Sequence, residues 1–168
     1  MADRQFDPFD NKVALVTGAG GGIGRQVALA FAAQGARVMA TDINGDAADA
    51  TAEAIRAAGG DARALAVDVT DNSQVAAMVR ATVDAFGALH CAFNNAGVEE
   101  ENDKIADVDE VLFDRVMAIN VKGVWLCMKH QIPALLAAGV ARVYTPKDYA
   151  LGAIIADMAR VMDGEERE

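Results

Sequence analysis

Short apolar runs alternate along the chain with longer segments in which apolar residues return every three or four positions. VALVT (13–17), RVMAT (37–41), ARALAV (62–67), HCAFN (90–94) and VARVY (140–144) are rich in apolar residues, the pattern of strands covered on both faces. The stretches between them carry a helical period and predict helices at about 22–34, 46–58, 72–86, 109–138 and 147–162. Gly35, Gly59, Gly60, Gly87 and Gly139 fall where those helices should end, at positions suited to a C-cap. Strands that alternate with helices build a parallel sheet with a helix layer on each side, and right-handed crossovers then give the strand order 3-2-1-4-5. The expected architecture is a three-layer, doubly wound α/β fold with a five-stranded parallel sheet. It forms one domain over residues 1–168, with a disordered tail at 163–168.

Composition narrows the choice of partner. Hydrophobic residues make up 53% of 168, enough for one compact core. The 25 acidic against 15 basic side chains give a formal charge of -10, which opposes binding to nucleic acid and to anionic membranes. Cys91 and Cys127 have no CxxC or metal-ligand spacing and read as buried thiols. The opening MADRQFDPFDNK is too polar for a signal peptide, and no apolar run approaches the roughly 20 residues of a membrane span. The expectation is a soluble, cytoplasmic chain.

Candidate chemistry begins where the first strand ends. In VALVTGAGGGIG, Thr17 and Gly18 close a strand, and Gly22, Ile23 and Gly24 open a helix. Such a turn brings backbone close to a pyrophosphate, whose charge then meets the N–H groups of the helix start. Asp42 ends the second strand, where a carboxylate can accept both hydroxyls of an adenosine ribose and repel a 2′-phosphate. That favours NAD over NADP; the competing reading is an aspartate that caps the next helix. Asp68 and Val69 end the third strand at the same carboxyl edge, placed to meet an adenine, unless Asp68 caps helix 72–86, a task for which Asp71 or Thr70 is better placed. Asn94, Asn95 and Gly97 combine turn-tolerant backbone with amide groups that can pin a loop there. Asn120 sits inside a helix, where asparagine is a poor former, so a functional or a local backbone hydrogen bond should hold it.

These motifs together resemble the short-chain dehydrogenase/reductase family. Thr17 to Gly24 fits its TGxxxGxG cofactor loop, Asp68-Val69 its adenine contact, Asn94-Asn95-Ala96-Gly97 its NNAG motif and Asn120 its helix asparagine, in order over about residues 10 to 138. The resemblance implies a Rossmann-like fold and a nicotinamide dinucleotide, held by Thr17, Gly18, Gly22, Ile23, Gly24, Asp42, Ile43, Asp68, Val69, Asn95, Ala96 and Gly97. It also implies a proton-relay role for Asn120 and a homodimer interface on helix 109–138.

Beyond residue 138 the sequence departs from the family. Its members continue with a serine and a helix bearing Tyr-x-x-x-Lys, whereas here Tyr144-Thr145-Pro146-Lys147 follows and the last serine is Ser73. Pro146 suits the first turn of a helix with Thr145 as its N-cap, so Tyr144 should end a strand while Lys147 begins a helix. Tyr149 is followed at i+4 by Ala153 and gains no cation there. The run 139–162 resembles the last strand and helix of a flavodoxin-like, cobalamin-binding domain, but the chain has no Asp-x-His-x-x-Gly, and His90 and His130 read as packing or surface residues. The departure reads as an engineered chimera or truncation, or as a natural degenerate homologue. Three functions follow: a scaffold that binds NAD weakly, without catalysis and without a metal; a residually active oxidoreductase that uses Tyr144; or a folded structural protein with no ligand.

Overall fold

A computed structural model of the chain describes residues 9–98 and 106–139, and the backbone of 143–144. Strand β1 (Val13–Thr17) is buried along its whole length and lies between β2 (Arg37–Asp42) and β4 (Cys91–Asn94), with β3 (Ala62–Ala66) outside β2. All pairs are parallel, so the doubly wound Rossmann-like sheet is as expected. It contains four full strands in the order β3-β2-β1-β4 rather than five. The strand expected at 140–144 is represented by a two-residue ladder, β5 (Val143–Tyr144), beside Ala92 and Phe93. Strand β4 is itself only four residues long and offers a neighbour little edge. Residues 140–142, Thr145, Pro146 and Lys147, the helix expected at 147–162 and the tail 163–168 lie outside the described residues.

Alternation along β1 sends its side chains to two different cores. Val13 and Leu15 join Met39, Val75, Met78, Leu126 and Leu135, a face of large side chains. Ala14 and Val16 join Ala28, Val38, Ala40, Ala52 and Ile55, a face dominated by alanine. Small side chains let α1 (Gly22–Ala33) and α2 (Gly45–Ala57) lie close to the sheet, and α1 carries the glycine turn down with it. On the other face lie α3 (Asn72–Phe86) and the helix that follows β4. Strand β3 is only partly covered, unlike the buried strand its sequence suggests, because it forms the sheet's edge.

The helix expected as one piece over 109–138 is three segments in succession: α4 (Glu110–Met117), a π-helical stretch (Ala118–Gly123) and α5 (Val124–Ala137). The π stretch lies where the helix meets the loop after β3: a Cβ on Gly123 would stand 2.9 Å from Val69 Cγ2. Asn120 lies in this stretch and reaches the loop after β4, and such π segments recur at functional sites. Helix ends otherwise follow the sequence. Gly35, Gly59, Gly87 and Gly139 have positive φ, whereas Gly60 does not and instead keeps clear of Ile55 Cγ2, which an added Cβ would meet at 2.7 Å.

Candidate functional site

The carboxyl ends of β1, β2 and β4 come together because Thr17 pairs with both Thr41 and Asn94. This is the point where the chain order reverses, and a crevice opens outside it. Gly18 turns there with φ 65°, a conformation that suits glycine, and a Cβ on it would stand 2.9 Å from both Ala96 Cα and Asn95 Nδ2. Gly24 is required for a different reason: any Cβ on it would collide with the Gly18 carbonyl oxygen. Between them, Ala19 anchors the loop through its N–H to the Thr41 carbonyl (2.9 Å) and through its own carbonyl, which accepts from the Thr51 hydroxyl (2.7 Å).

The start of α1 differs from those of α2, α3 and α4. Asn44 caps α2, Asp71 caps α3 and Asp109 caps α4 by accepting backbone N–H bonds, whereas Gly21 supplies no side-chain cap to α1 and no acidic residue occupies its first turn. Asp71 accepts from the Ser73 hydroxyl and from Gln74, which hold its carboxyl down to about 2. Helix α1 thus presents N–H groups and a positive dipole end without an internal anion. Ile23, 70% exposed, stands on this first turn.

Asp42 faces the glycine loop. Its Oδ2 accepts from Gly20 N–H (2.9 Å) and its Oδ1 from Asn44 N–H (3.0 Å), so it does not itself cap α2. Asp68 does not cap α3; its Oδ1 accepts from the Thr70 N–H (2.8 Å) and hydroxyl (2.7 Å). Both carboxylates line a cavity of about 270 Å³ that also takes in Thr17, Gly18, Ile43, Val69, Ala96 and Gly97. Ile43 offers it an exposed apolar side chain, and Val69 a nearly buried one.

The opposite bank is built from amides. Thr17 Oγ1 accepts the N–H groups of Asn95 and Ala96, both at 3.1 Å, and Asn95 Nδ2 donates to the Gly18 carbonyl (3.2 Å). Asn94 is buried and exchanges two 2.9 Å hydrogen bonds with the buried amide of Gln131 on α5. Asn120 grips the backbone of Val98, accepting its N–H (2.9 Å) and donating to its carbonyl (2.8 Å). This bond is neither of the two kinds anticipated in its simplest form: it reaches backbone, but backbone 22 residues away.

The expected cofactor residues fall into three groups. Thr17, Gly18, Asp42, Ile43, Asp68, Val69, Ala96 and Gly97 line the cavity; Gly22, Ile23 and Gly24 form the start of α1; and Asn95 lies outside the cavity lining, bonded to the Gly18 carbonyl. Tyr144 is placed only by its backbone, next to Phe93. Sequence reasoning missed Gly20, where a Cβ would meet Ala47 Cβ at 2.7 Å, and it missed Thr51, Gln131 and Arg115. A threonine on the apolar side of α2 and a glutamine amid apolar residues of α5 were the available signals. Cys127 is a buried thiol pushed up to about 12 by that burial, and Cys91 is buried too. Among the described residues, no cluster of three or more His, Cys, Asp or Glu side chains is placed to hold a metal, and no helix is long and apolar enough to cross a membrane.

Known proteins share this arrangement. The family model for short chain dehydrogenase matches residues 12–145. The chain is 42% identical over 137 residues to an uncharacterized oxidoreductase, YxbG, of Bacillus subtilis, covering 82% of this chain and 50% of that protein. It is 43% identical over 139 residues to a cyclohexanol dehydrogenase of an Acinetobacter species, covering 83% of this chain and 55% of the relative. A crystal structure of a short chain dehydrogenase from Mycobacterium avium superposes with a TM-score of 0.74 at 41% identity, over 80% of this chain and 53% of the other. The chain spans about half the length of the relatives it matches. With the glycine turn, the paired asparagines and the parallel sheet in one frame, these matches show that the chain belongs to the short-chain dehydrogenase family.

Proposed function

We propose that this chain is a nicotinamide dinucleotide-binding unit that holds the adenosine and pyrophosphate of NAD, and that these 168 residues do not themselves carry hydride transfer. The observation that carries the reading is the cavity of about 270 Å³ whose lining runs from Gly18 through Asp42 to Asp68 and Val69. In this reading the adenosine occupies the cavity, and Gly18, which lines it, leads within the same turn to the uncapped start of α1. The pyrophosphate then meets the N–H groups at Gly22, Ile23 and Gly24, the ribose meets Asp42, and the adenine meets Ile43, Asp68 and Val69. Asn95, Ala96 and Gly97 fix the loop against which the middle of the cofactor rests.

When bound, NAD supplies the hydride acceptor. The acid–base partner of that chemistry in the family is a tyrosine with a lysine four residues on, and the 168 residues contain no Tyr-x-x-x-Lys. An unassisted tyrosine with a pKa near 10 exchanges protons poorly at neutral pH. Asp42 favours NAD because a 2′-phosphate would set a second negative charge against its carboxylate. The homodimer belongs to the same reading: Val111, Phe113 and Met117 on α4 are exposed apolar side chains.

Isothermal titration of NAD and NADP into the protein tests this, with Asp42→Ala beside it. The expected result is saturable NAD binding and weaker NADP binding. Loss of the Asp42 carboxylate should weaken NAD by about tenfold to a hundredfold, the equivalent of roughly 1–3 kcal/mol for a lost charged hydrogen-bond partner. The absence of heat at millimolar NAD would overturn the proposal.

A further inference from the structure

The peptide between Ala19 and Gly20 is held at both of its edges. Its carbonyl accepts from the Thr51 hydroxyl at 2.7 Å, and its N–H donates to Asp42 Oδ2 at 2.9 Å. A trans peptide is planar and points these two groups in opposite directions, so fixing one fixes the other. The space beside it is closed: a Cβ on Gly20 would stand 2.7 Å from Ala47 Cβ and 2.9 Å from Asp42 Oδ2. Ala47 and Thr51 are four residues apart on α2, so a single face of that helix bears on the glycine turn.

A threonine inside a helix ordinarily bonds back to the carbonyl four residues earlier. Thr51 has that option, since its Oγ1 lies 3.2 Å from the Ala47 carbonyl oxygen. That oxygen already receives the Thr51 N–H in the helical pattern, and the hydroxyl has one proton, so the shorter contact to Ala19 takes it. Ala19 and Thr51 are both fully buried. Without the hydroxyl, the Ala19 carbonyl would lose its donor in a place that water does not reach.

We propose that Thr51 is a positioning residue for Asp42. It locks the Ala19–Gly20 peptide with its N–H towards the carboxylate, and so holds that carboxylate in the orientation that reads the ribose of a bound adenosine. The inference rests on the proposed cofactor site and assigns part of its preference for NAD to a residue outside the cavity lining. Were the peptide to turn over, its carbonyl oxygen would face Asp42 and repel it. Asn44 N–H holds only the other oxygen, Oδ1, so it does not replace the bond at Oδ2.

The test is calorimetric titration of NAD and NADP into the wild type, Thr51→Val, Thr51→Ser, Asp42→Ala and the double variant of Asp42→Ala with Thr51→Val, with thermal melting of each to confirm folding. Thr51→Val keeps the shape and removes the hydroxyl. It should weaken NAD by about three- to tenfold and leave NADP nearly unchanged, while Thr51→Ser keeps wild-type affinity. In the Asp42→Ala background Thr51→Val should have no further effect, because the carboxylate it positions is gone. Amide hydrogen exchange reads the same clamp without ligand. Gly20 should exchange faster in Thr51→Val and at the wild-type rate in Thr51→Ser, while Ala19 N–H, bonded to the Thr41 carbonyl, keeps its protection. Equal loss of NAD and NADP, additive costs in the double variant, or unchanged exchange at Gly20 would each overturn the role. A wild type that binds neither dinucleotide would instead refute the cofactor site, with exchange at Gly20 still deciding whether Thr51 holds the peptide.

Discussion

The two banks of the crevice keep their shape by opposite means. On the bank formed by β1, α1 and β2, side chains are missing where the backbone closes: a Cβ on Gly24 would strike the Gly18 carbonyl, and one on Gly20 would meet Ala47 Cβ at 2.7 Å. On the bank formed by β4 and the helix after it, side chains are present where the backbone needs partners: Asn95 on Gly18, Asn120 on Val98, and Asn94 on Gln131. The first bank fails when atoms are added, the second when donors or acceptors are removed. Charge recognition follows the same division, because a backbone stripped of side chains exposes its N–H groups to an anion, whereas the amide bank is satisfied internally.

The largest effect is expected from adding one methyl group at Gly24. Gly24→Ala should abolish measurable NAD binding and lower the melting temperature, since the new Cβ forces α1 away from Gly18. Gly21→Ala is the control from the same turn: nothing lies within 4 Å of its added Cβ, and its φ of -163° is ordinary extended backbone. Its melting temperature should stay within a degree or so of the wild type, as surface substitutions usually allow. Equal responses from the two variants would show that the turn is not held by close approach.

Next comes the buried amide pair. Asn94→Leu leaves the Gln131 amide buried without its partner, and Gln131→Leu does the same to Asn94; each should cost about 1–3 kcal/mol in denaturant unfolding. The double variant removes both polar groups and should recover much of that loss, because the penalty lies in the orphaned partner. Simple additivity in the double-mutant cycle would mean that the two amides do not depend on each other.

Much of this architecture can be read from the chain. Strand β1 is visible as a continuous apolar run because both its faces are covered, and the glycine turn because strand, turn and helix follow in order. Interactions set by distant contacts are less visible. The π stretch arises where Gly123 is pressed onto Val69 and Asn120 reaches Val98, and neither contact leaves a local periodicity. Strand β3 reads as a buried strand because alanines and a leucine dominate it, and only Arg63, exposed in the structure, hints that it lies at the edge. Arg115 lines the cavity without a signal in the sequence, because a charged residue on a helix ordinarily reads as a solvated face.

A smaller effect is expected at the Asn120 clamp. Asn120→Ala frees the N–H and carbonyl of Val98, both at least partly able to turn to water, so the cost should be about 1 kcal/mol. The specific readout is amide hydrogen exchange. Val98 should exchange faster in Asn120→Ala while the β1 amides keep their protection, because loss of a loop clamp opens the loop without opening the sheet. Unchanged exchange at Val98 would show that another contact holds that loop.

The smallest effect lies at the far end of the sheet and provides a baseline for the others. His90 Nδ1 accepts the Val13 N–H (3.1 Å) while His90 N–H donates to the Val13 carbonyl (2.9 Å), continuing the β1–β4 pairing through a side chain. Burial, and then the positive charges of Lys12 and Arg37, lower its pKa from the ordinary 6.5. Burial first, then Lys129 and Arg80, act in the same direction on His130, which is hydrogen-bonded to Asn72. The folded state therefore binds protons less readily than the unfolded chain. Stability from these groups is complete above about pH 6.5 and declines as the pH falls below it towards the lowered folded values. Denaturant titrations from pH 7.5 to pH 5 should show that decline, and His90→Gln should make it shallower, at a cost near the ~1 kcal/mol of one hydrogen bond. If the slope is identical in His90→Gln, the Val13–His90 bond does not sense pH, and the acid sensitivity belongs to His130.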